Sequence, residues 1–371
     1  MANKRVFYAC QAVAIASPSD PDDATVTPIS TEIMHGIQSV GVTTNFNLEQ
    51  VFELGQIQIY ENIENVPDVE VTLEKVYDGH KSILNAATQE AFQAAQLAGN
   101  NPTIVARSKE RCQIVLAVYD ETKDSVSDVD KVYEMIMDGM YISNISVNIP
   151  VDGNITESVS FVGNSKVFTA GAGGVGLQNV DGAMTEDADG AGNDEPLNLN
   201  NNVGGVQRRE NVNMFLSEFP TSIRGTNGTG PGNGVVNQIP LANLGTPTVH
   251  VQNISISTDF SREDVLELGR KAPYYRSPNF PIEVTCDIEA ITADGDGVQA
   301  FEEGDPANAG TRDAGNNTPE ETIKFVLEDG TTFDLKSKNR LSSVTYGGGD
   351  AAGGNVSVTY SYTNFNDLVI S

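Results

Sequence analysis

Basic residues are scarce in this sequence. Its 22 lysines and arginines stand against 51 aspartates and glutamates, which gives a net charge of −29 at pH 7. A surface with this charge repels nucleic-acid phosphates and anionic lipid headgroups, so a protein that grips DNA or binds an anionic membrane surface is not expected. No apolar run approaches the length of a membrane-spanning helix, and we expect a soluble protein made in a cytoplasm.

Cysteine and histidine are also scarce. The three cysteines, Cys10, Cys112 and Cys286, are far apart and include no CxxC pair, so neither a zinc site nor a disulfide framework is predicted. The three histidines have neither the spacing of metal ligands nor a hydrolase motif around them. The sequence therefore predicts no catalytic residue and no bound metal.

Two motifs that could bind a ligand lack the context that such binding needs. GAGGVG at 171–176 has the letters of a dinucleotide fingerprint, but no helical pattern follows it. The acidic stretches at 187–195 and 294–297 lack the oxygen spacing of a calcium loop. We predict no cofactor and interpret these stretches as solvated loops.

The sequence does contain an internal repeat. Residues 38–55, QSVGVTTNFNLEQVFELG, and residues 252–269, QNISISTDFSREDVLELG, are identical at eight of eighteen positions without a gap. Further on, VEVT at 69–72 aligns with IEVT at 282–285, and a strand–turn–strand pattern at 141–163 resembles residues 339–362. The matching pieces occur in the same order, which predicts a duplicated domain.

The repeat defines a set of structural or interface candidates. Its glutamate pairs recur in both copies, which argues against a single asymmetric acid–base site. The candidates are Phe46, Glu49, Val51, Glu53, Leu54 and Gly55 in the first copy, and Phe260, Glu263, Val265, Glu267, Leu268 and Gly269 in the second.

Hydrophobic periodicity predicts the elements of one copy. Residues 39–46 alternate as a half-buried strand, and residues 56–76 indicate two strands around a turn. Residues 47–55 predict a short helix or turn that begins at Asn47, ends at Gly55 and places Glu49 and Glu53 on one face. An apolar stripe over residues 83–98 predicts a longer helix in the first copy.

These patterns predict a mainly β (α+β) fold with two tandem antiparallel domains of the β-sandwich or barrel-forming kind, each with a flanking helix. Residues 1–164 form the first domain and residues 206–371 the second. The Gly/Asn/Asp-rich stretch 165–205 is predicted to be a long polar linker or arm. The stretches 4–16 and 206–220 are candidates for the opening strand of each domain.

Several segments resemble the tail tube proteins of tailed bacteriophages. They are VFELGQIQIYENIENVPDVEVTLEKVYDG in the first copy, and GVQRRENVNMFLSEFPTSI, DVLELGRKAPYYRSPNFPIEVTCDIE and ITADGDG in the second. The matching segments cover about half of the chain. The resemblance implies β-sandwich-like units whose sheets join side by side into six-unit rings, with a β-barrel as inner wall. Such rings stack into a tube that conducts the genome.

For this chain the resemblance implies a structural protein of the virion tail, made in the host bacterial cytoplasm. With two units per chain, three chains would form a pseudo-hexameric ring, with residues 165–205 and 306–319 as arms toward the next ring. Expected partners are further copies of the chain and the tape measure, baseplate and tail terminator proteins, with a sheath as a further candidate. Genomic DNA would pass without specific binding through an acidic lumen, which Glu70 and Glu74 are candidates to line.

Three alternatives stay open at this point. A baseplate or neck ring protein could share the fold. A secreted surface-array β protein could bind calcium in the acidic loops, although no signal sequence is evident. An enzyme could hold a metal in the same loops.

Overall fold

The computed structural model describes residues 11–17, 30–55, 57–88, 102–119, 131–170, 205–216, 237–240, 249–292, 320–348 and 355–371. Most of these residues lie in antiparallel strands, so the prediction of a mainly β fold is confirmed. We refer below to the described residues up to 170 as the first half and to those from 205 onward as the second half.

The first half contributes ten strands. They are β1 (Gln11–Ser17), β2 (Ser30–Ile33), β3 (Ile37–Asn45), β4 (Leu48–Phe52), β5 (Ile59–Glu64), β6 (Asp68–Val76), β7 (Cys112–Tyr119), β8 (Lys131–Pro150), β9 (Thr156–Gly163) and β10 (Val167–Ala170).

The second half contributes eleven strands. They are β11 (Val212–Leu216), β12 (Asn237–Pro240), β13 (Val249–Asp259), β14 (Glu263–Val265), β15 (Tyr275–Ser277), β16 (Glu283–Thr292), β17 (Ile323–Leu327), β18 (Thr332–Asp334), β19 (Arg340–Gly347), β20 (Ser357–Phe365) and β21 (Val369–Ile370). A 3-10 turn at Arg209–Asn211 precedes β11.

Eight strands form one continuous antiparallel sheet, which we call the long sheet. Its order is β3-β6-β9-β8-β13-β16-β20-β19, so the first four strands come from the first half and the last four from the second. Only the second part of the 20-residue strand β8 belongs to it. The long sheet therefore connects the two halves by strand pairing.

Two smaller sheets, which we call the cover sheets, lie beside the long sheet. The first has the order β2-β1-β7-β8-β10 and uses the first part of β8. The second has the order β12-β11-β17-β18-β21. The predicted opening-strand stretches contain β1 and β11, which occupy corresponding places in the two cover sheets.

The strands alternate between an apolar and a polar side because successive side chains of a strand point to opposite faces. Val71, Leu73 and Phe161 of the long sheet are buried in one cluster with Ile114 of the first cover sheet and Phe325 of the second. Burial of each such side chain contributes about 1.5–3 kcal/mol. The core therefore lies between the long sheet and the cover sheets.

A buried carboxylate positions the predicted helix of the first half. Helix α1 (Ile83–Ala87) begins after Ser82, and the Glu157 carboxylate accepts hydrogen bonds from the amides of Ile83 (2.9 Å) and Leu84 (3.3 Å). Burial raises the pKa of Glu157, while the two amides and nearby Lys75 and Arg107 oppose that rise. These amides need such an acceptor because the first turn of a helix offers none.

The helical prediction for residues 83–98 is confirmed at its start, and residues 89–101 lie outside the described part. A second short helix, α2, spans Ile104–Arg107. The described part of the second half contains no α-helix, and residues 293–319 lie outside it. A flanking helix in the second domain thus stays a prediction.

The helix predicted over residues 47–55 is wrong. Residues 48–52 form β4, which pairs with β5 in a hairpin, and the chain turns at Leu54 and Gly55. Asn47 does not cap a helix; its side chain donates to Asp68 Oδ2 (2.8 Å). Glu49 and Glu53 therefore do not share a helix face.

Two other expectations differ from the structure. Pairing equates Thr44–Val69 with Thr258–Val284, so VEVT aligns two residues later than IEVT suggests. In addition, β10 lies within the stretch assigned to the arm, where it pairs with β8. Residues 171–204 of the predicted arm lie outside the described part.

We predict that Glu157→Ala lowers the free energy of unfolding by about 2–4 kcal/mol, because two buried amides lose their acceptor and two buried cations lose a nearby carboxylate. The control is Glu70→Ala, which changes an exposed carboxylate on the opposite face and should cost less than about 0.5 kcal/mol. Urea denaturation of both variants measures the difference. Equal midpoints would contradict the role given to Glu157.

Candidate assembly surfaces

The pairing of β8 with β13, which we call the internal join, connects the two halves of the long sheet. The strands run antiparallel with seven residue pairs in register, from Asn253–Pro150 to Asp259–Asn144. Backbone hydrogen bonds continue past the ladder at both ends, from Phe260 N to Ser143 O (2.9 Å) and from Val151 N to Gln252 O (2.8 Å). The free edge of β8 is thereby hydrogen-bonded to the second half along the whole pairing.

Aromatic and basic side chains strengthen the internal join at one rim. The Arg262 Nε donates to Ile142 O (2.8 Å), and its guanidinium lies 5.0 Å from the Tyr141 ring centroid. The Tyr141 and Tyr275 rings meet edge to face, with centroids 5.7 Å apart. Burial lowers the pKa of Arg262 to about 10, which still leaves it charged at neutral pH.

Arg276 ties the hairpin of β14 and β15 to the first half. Its guanidinium lies 2.5 Å from Asp68 Oδ1 and 3.2 Å from Asp264 Oδ1, and it donates to Asn164 Oδ1 (3.2 Å). Burial alone would raise the pKa of Asp68, but hydrogen bonds from Asn47, Arg276 and Asn164, and the charge of Arg276, lower it overall. This contact crosses the join and is nearly buried on the arginine side.

Each outermost strand of the long sheet pairs with a neighbour on one side only among the described residues. There β3 pairs only with β6, and β19 pairs only with β20. Phe46, just after β3, is 70% exposed, whereas the aligned Phe260, just after β13, is 1% exposed because β8 lies beside it. An unpaired edge with exposed aromatic groups is a typical site for pairing with another chain.

Two hairpins carry most of the predicted repeat residues. Hairpin one is β4–β5 and hairpin two is β14–β15, each with its connecting turn. Leu54 and Leu268 are both 102% exposed at the turns, where Gly55 and Gly269 have φ of +94° and +89°. That left-handed backbone favours glycine. The repeated leucines therefore project into solvent.

The other repeat residues on the hairpins are also largely exposed. Val265 is 43% exposed and Val51 is half-buried. The four glutamates of the repeat, Glu49, Glu53, Glu263 and Glu267, are exposed. The interface candidates did not include the aligned pairs Phe52–Leu266 and Tyr60–Tyr274, although all four residues are exposed on the same hairpins.

Both hairpins leave the long sheet at the same rim. The register places Thr44, Val69 and Gly163 side by side, and it places Asn144 beside Asp259. Traced through the ladders, Asp259 lies level with Gly41, so β3 runs four residues further along this line than β13, which is the stagger of a tilted sheet.

The face of the long sheet that points away from the core is polar. Glu70 and Glu74 lie on it, in register with Val162 and Ser158 of β9. In the second half, Glu289 corresponds to Glu74 and Asp287 to Thr72. The neighbouring positions on this face are mostly serine, threonine and asparagine.

The described residues contain little that suggests metal or thiol chemistry. Within these ranges, no three His, Cys, Asp or Glu side chains come together as possible metal ligands. Cys112 and Cys286 are buried thiols, and burial raises the pKa of each. Sequence reasoning missed that the rings of His35 and His80 stack with centroids 4.4 Å apart. None of the described helices is long and apolar enough to cross a membrane.

We predict that Arg276→Ala lowers the free energy of unfolding by about 1–3 kcal/mol at pH 7, because Asp68 and Asp264 lose their shared cation. Since the pKa of Asp68 is lowered in the folded state, the contribution exists above its unfolded value of about 3.9 and disappears as pH falls through the folded value. Wild type and variant should therefore converge in acid.

The matched control is Arg270→Ala, an exposed arginine on the same hairpin. Thermal unfolding of the three proteins across pH measures the effect. A difference between wild type and Arg276→Ala that stays constant down to strong acid would contradict the ion pair.

Comparison with known proteins gives a match to one protein family over part of the chain. Residues 23–147 match the Phi812 tail tube protein family, which is 125 of the 371 residues. No curated protein matches the chain.

Similar regions occur in three solved assemblies. They are the cap that terminates the tube of the anti-feeding prophage (12% identity, TM-score 0.30, 46% of this chain and 94% of that chain), the sheath–tube complex of the PVC extracellular contractile injection system in its extended state (10%, 0.30, 46% and 94%) and the virion of a native gene transfer agent particle (14%, 0.23, 43% and 95%). TM-scores this low do not by themselves establish a common fold. The informative finding is the family match: residues 23–147 match the Phi812 tail tube protein family, which indicates a component of a virion tail.

Proposed function

We propose that this chain is a tail tube subunit with two fused tube units, which assembles head to tail into closed, stacked rings. The first unit comprises residues 1–164 and the second residues 206–371, with residues 165–205 as the connecting arm. Three chains form one pseudo-hexameric ring in this proposal. The chain is structural and has no enzymatic role.

The strand order supports the two-unit interpretation. In the long sheet, β3-β6-β9-β8 is followed by β13-β16-β20-β19, and each strand stands in the place of its counterpart along the chain. The cover sheets repeat their order as well. The β-bulges recur too, at Gln38 and Gln252 and at Ser143 and Ser342.

The bulged glutamines agree in detail. The Nε2 of Gln38 donates to Gly36 O, and the Nε2 of Gln252 donates to His250 O, each at 3.3 Å. A bulge is a specific local feature of a strand rather than a by-product of composition. Two bulges with the same side-chain contact favour descent from one unit.

The observation that carries the proposal is the internal join. It pairs β8, the edge strand of the first unit's part of the long sheet, with β13, the edge strand of the second unit's part. The corresponding strands at the outer ends are β19 and β3, whose outer sides are unpaired among the described residues. The same pairing can therefore be repeated between β19 of one chain and β3 of the next.

Repetition of this pairing gives a head-to-tail assembly, because the two edges differ from each other. Head-to-tail contacts produce rings when the rotation closes. Because each long sheet has eight strands, three chains contribute 24 strands to the inner wall of the ring. With about 4.8 Å between strands and a tilt of about 40°, the backbone-to-backbone diameter is about 50 Å, wide enough for a DNA duplex.

The polar face suits the lining of a channel for DNA. We assign it to the lumen because the opposite face packs against the cover sheets. Glu70, Glu74, Asp287 and Glu289 then present carboxylates that repel phosphates, so the duplex can slide without binding. DNA ejection through the tube is the function that this arrangement serves.

The hairpin tips suit the stacking of rings. Hairpin two already has its neighbour within the sheet, yet Leu266 (72%), Leu268 (102%) and Tyr274 (55%) stay exposed. The aligned Phe52, Leu54 and Tyr60 are exposed as well. A closed ring carries all these tips on one rim, where they can contact the next ring.

The wider partner set also belongs to this proposal. The arms at 165–205 and 306–319 reach toward a neighbouring ring, although residues 171–204 and 293–319 lie outside the described part. The tape measure, baseplate and tail terminator proteins, and a sheath, are the other partners that we propose.

Negative-stain electron microscopy of the purified protein at raised concentration, with rotational averaging of end views, tests the ring. We expect hollow particles with six lobes and true three-fold symmetry, since two similar units alternate around the ring. Compact monomers at all concentrations would contradict the proposal. Rings that never stack would instead favour a baseplate or neck ring protein.

We predict that the double variant Leu54→Asp, Leu268→Asp forms rings but no tubes, because charged groups replace the exposed apolar tips on every unit. The control is Val132→Asp, which changes an apolar residue that is 40% exposed on the part of β8 in the first cover sheet, outside the hairpins and the proposed arms. Tube length by electron microscopy and ring content by light scattering separate the two steps. Tubes of wild-type length in the double variant would contradict a role of the tips in stacking.

A further inference from the structure

The internal join can be compared with the two outer edges of the long sheet, residue by residue. The inference drawn from this comparison rests on the proposed ring. Corresponding residues follow from the strand pairing. Val51 pairs with Glu61 as Val265 pairs with Tyr275, so Glu61 corresponds to Tyr275. Leu341 pairs with Tyr362 before the bulge as Ile142 pairs with Phe161, so Arg340 corresponds to Tyr141.

These two positions touch each other across the internal join, where Tyr141 and Tyr275 meet edge to face. At the outer edges the same positions hold Arg340 and Glu61, which have opposite charges. Both are exposed, and the only partner found for Arg340 among the described residues is exposed Glu320, at 3.3 Å. At the outer edges, residues of opposite charge thus occupy the positions that form the aromatic contact in the internal join.

Arg340 and Glu61 cannot meet within one chain. Arg340 lies on β19 and Glu61 on the hairpin that follows β3, at opposite ends of the eight-stranded sheet. Seven strand spacings separate these ends, which is about 30 Å. The complementarity therefore has a use only between chains.

The apolar side of the edges is consistent with the same register. Across the internal join, Val147 pairs with Ile256 and both are 1% exposed. The corresponding residues are Tyr346, which is 60% exposed, and half-buried Val42. Compared with the internal join, the residue on β19 is larger than its counterpart on β8, and the residue on β3 is smaller than its counterpart on β13.

We propose that β19 of one chain pairs antiparallel with β3 of a second copy in the register of the internal join, and that Arg340 forms an ion pair there with Glu61 of that copy. Tyr346 packs against Val42, and Thr345 lies opposite Thr43. The surface is thus an edge-to-edge docking site whose occupant is another copy of this chain.

The ion pair is tested by charge reversal. Arg340→Glu places two carboxylates together and should raise the protein concentration needed for half-maximal ring formation by about tenfold; Glu61→Arg should do the same through two cations. The double variant Arg340→Glu, Glu61→Arg should return to within about threefold of wild type. The control is Arg209→Glu, which makes the same change in net charge at an exposed residue on another surface. Sedimentation velocity across a concentration series measures all five proteins.

The register is tested by cysteine cross-linking. Thr43→Cys with Thr345→Cys should give covalent chain-to-chain products on mild oxidation, because directly opposed residues bring their Cβ atoms within about 5.5 Å. Thr43→Cys with Ser343→Cys is two positions out of register and should cross-link at least about fivefold less. The native Cys112 and Cys286 are buried, which limits their interference.

The outcomes separate the two proposals. Suppose first that the wild-type protein forms rings. If Arg340→Glu then assembles like wild type, or if the out-of-register pair cross-links better, the proposed junction is overturned and the ring proposal stands. Wild-type protein that stays monomeric at every concentration overturns the ring and the junction together. The junction is supported if each single charge reversal weakens assembly, the double variant restores it and the in-register pair cross-links.

Discussion

The pairing of β8 with β13 is the interaction on which the rest of the structure depends. Through its first part β8 belongs to the first cover sheet, and through its second part it joins the two halves of the long sheet. A one-residue slip in this pairing would turn the apolar side chains of β13 to the polar face. The continuous core and the continuous polar face therefore both require this register, which Arg262 and Arg276 hold at one rim through buried contacts.

The internal join also explains an asymmetry between the two halves of the chain, whose strands follow the same order in the long sheet. Phe260 is buried and Phe46 is exposed, although they are aligned, because only the former has a strand beside it. Hairpin two is tied to its neighbour by Arg276, whereas β4 and β5 of hairpin one are exposed almost throughout. These differences all occur at the edge of the long sheet where β3 pairs only with β6 among the described residues.

Sequence reasoning worked where one physical signal dominated and failed where several structures share a signal. Period-two alternation identified β3 and β6, because one side of each strand is buried. It could not show that β5 pairs with β4, since both strands of this hairpin are exposed almost throughout and no buried side imposes an alternating apolar pattern on residues 48–52. Residues 47–55 resembled a helix because Asn47 and Gly55 are as common at turns as at helix ends. The two-residue misalignment of VEVT escaped notice because a shift of two keeps every side chain on the same face.

In the proposed ring, the charge of the chain gives a reason why the junction between chains would differ in chemistry from the internal join. The internal join forms within one chain, where linkage holds the partners at high effective concentration, so it can rely on short-range packing of Tyr141 on Tyr275. Separate chains with a net charge of −29 repel each other and must first meet by diffusion. A cation at one edge and a carboxylate at the other favour the correct approach, because electrostatic complementarity acts on the encounter rate and on the choice of partner more than on final affinity. If the chain is a fusion of two units as proposed, fusion relaxes the demand on one junction, and the scarce arginines can serve the junction where separate chains must recognise each other.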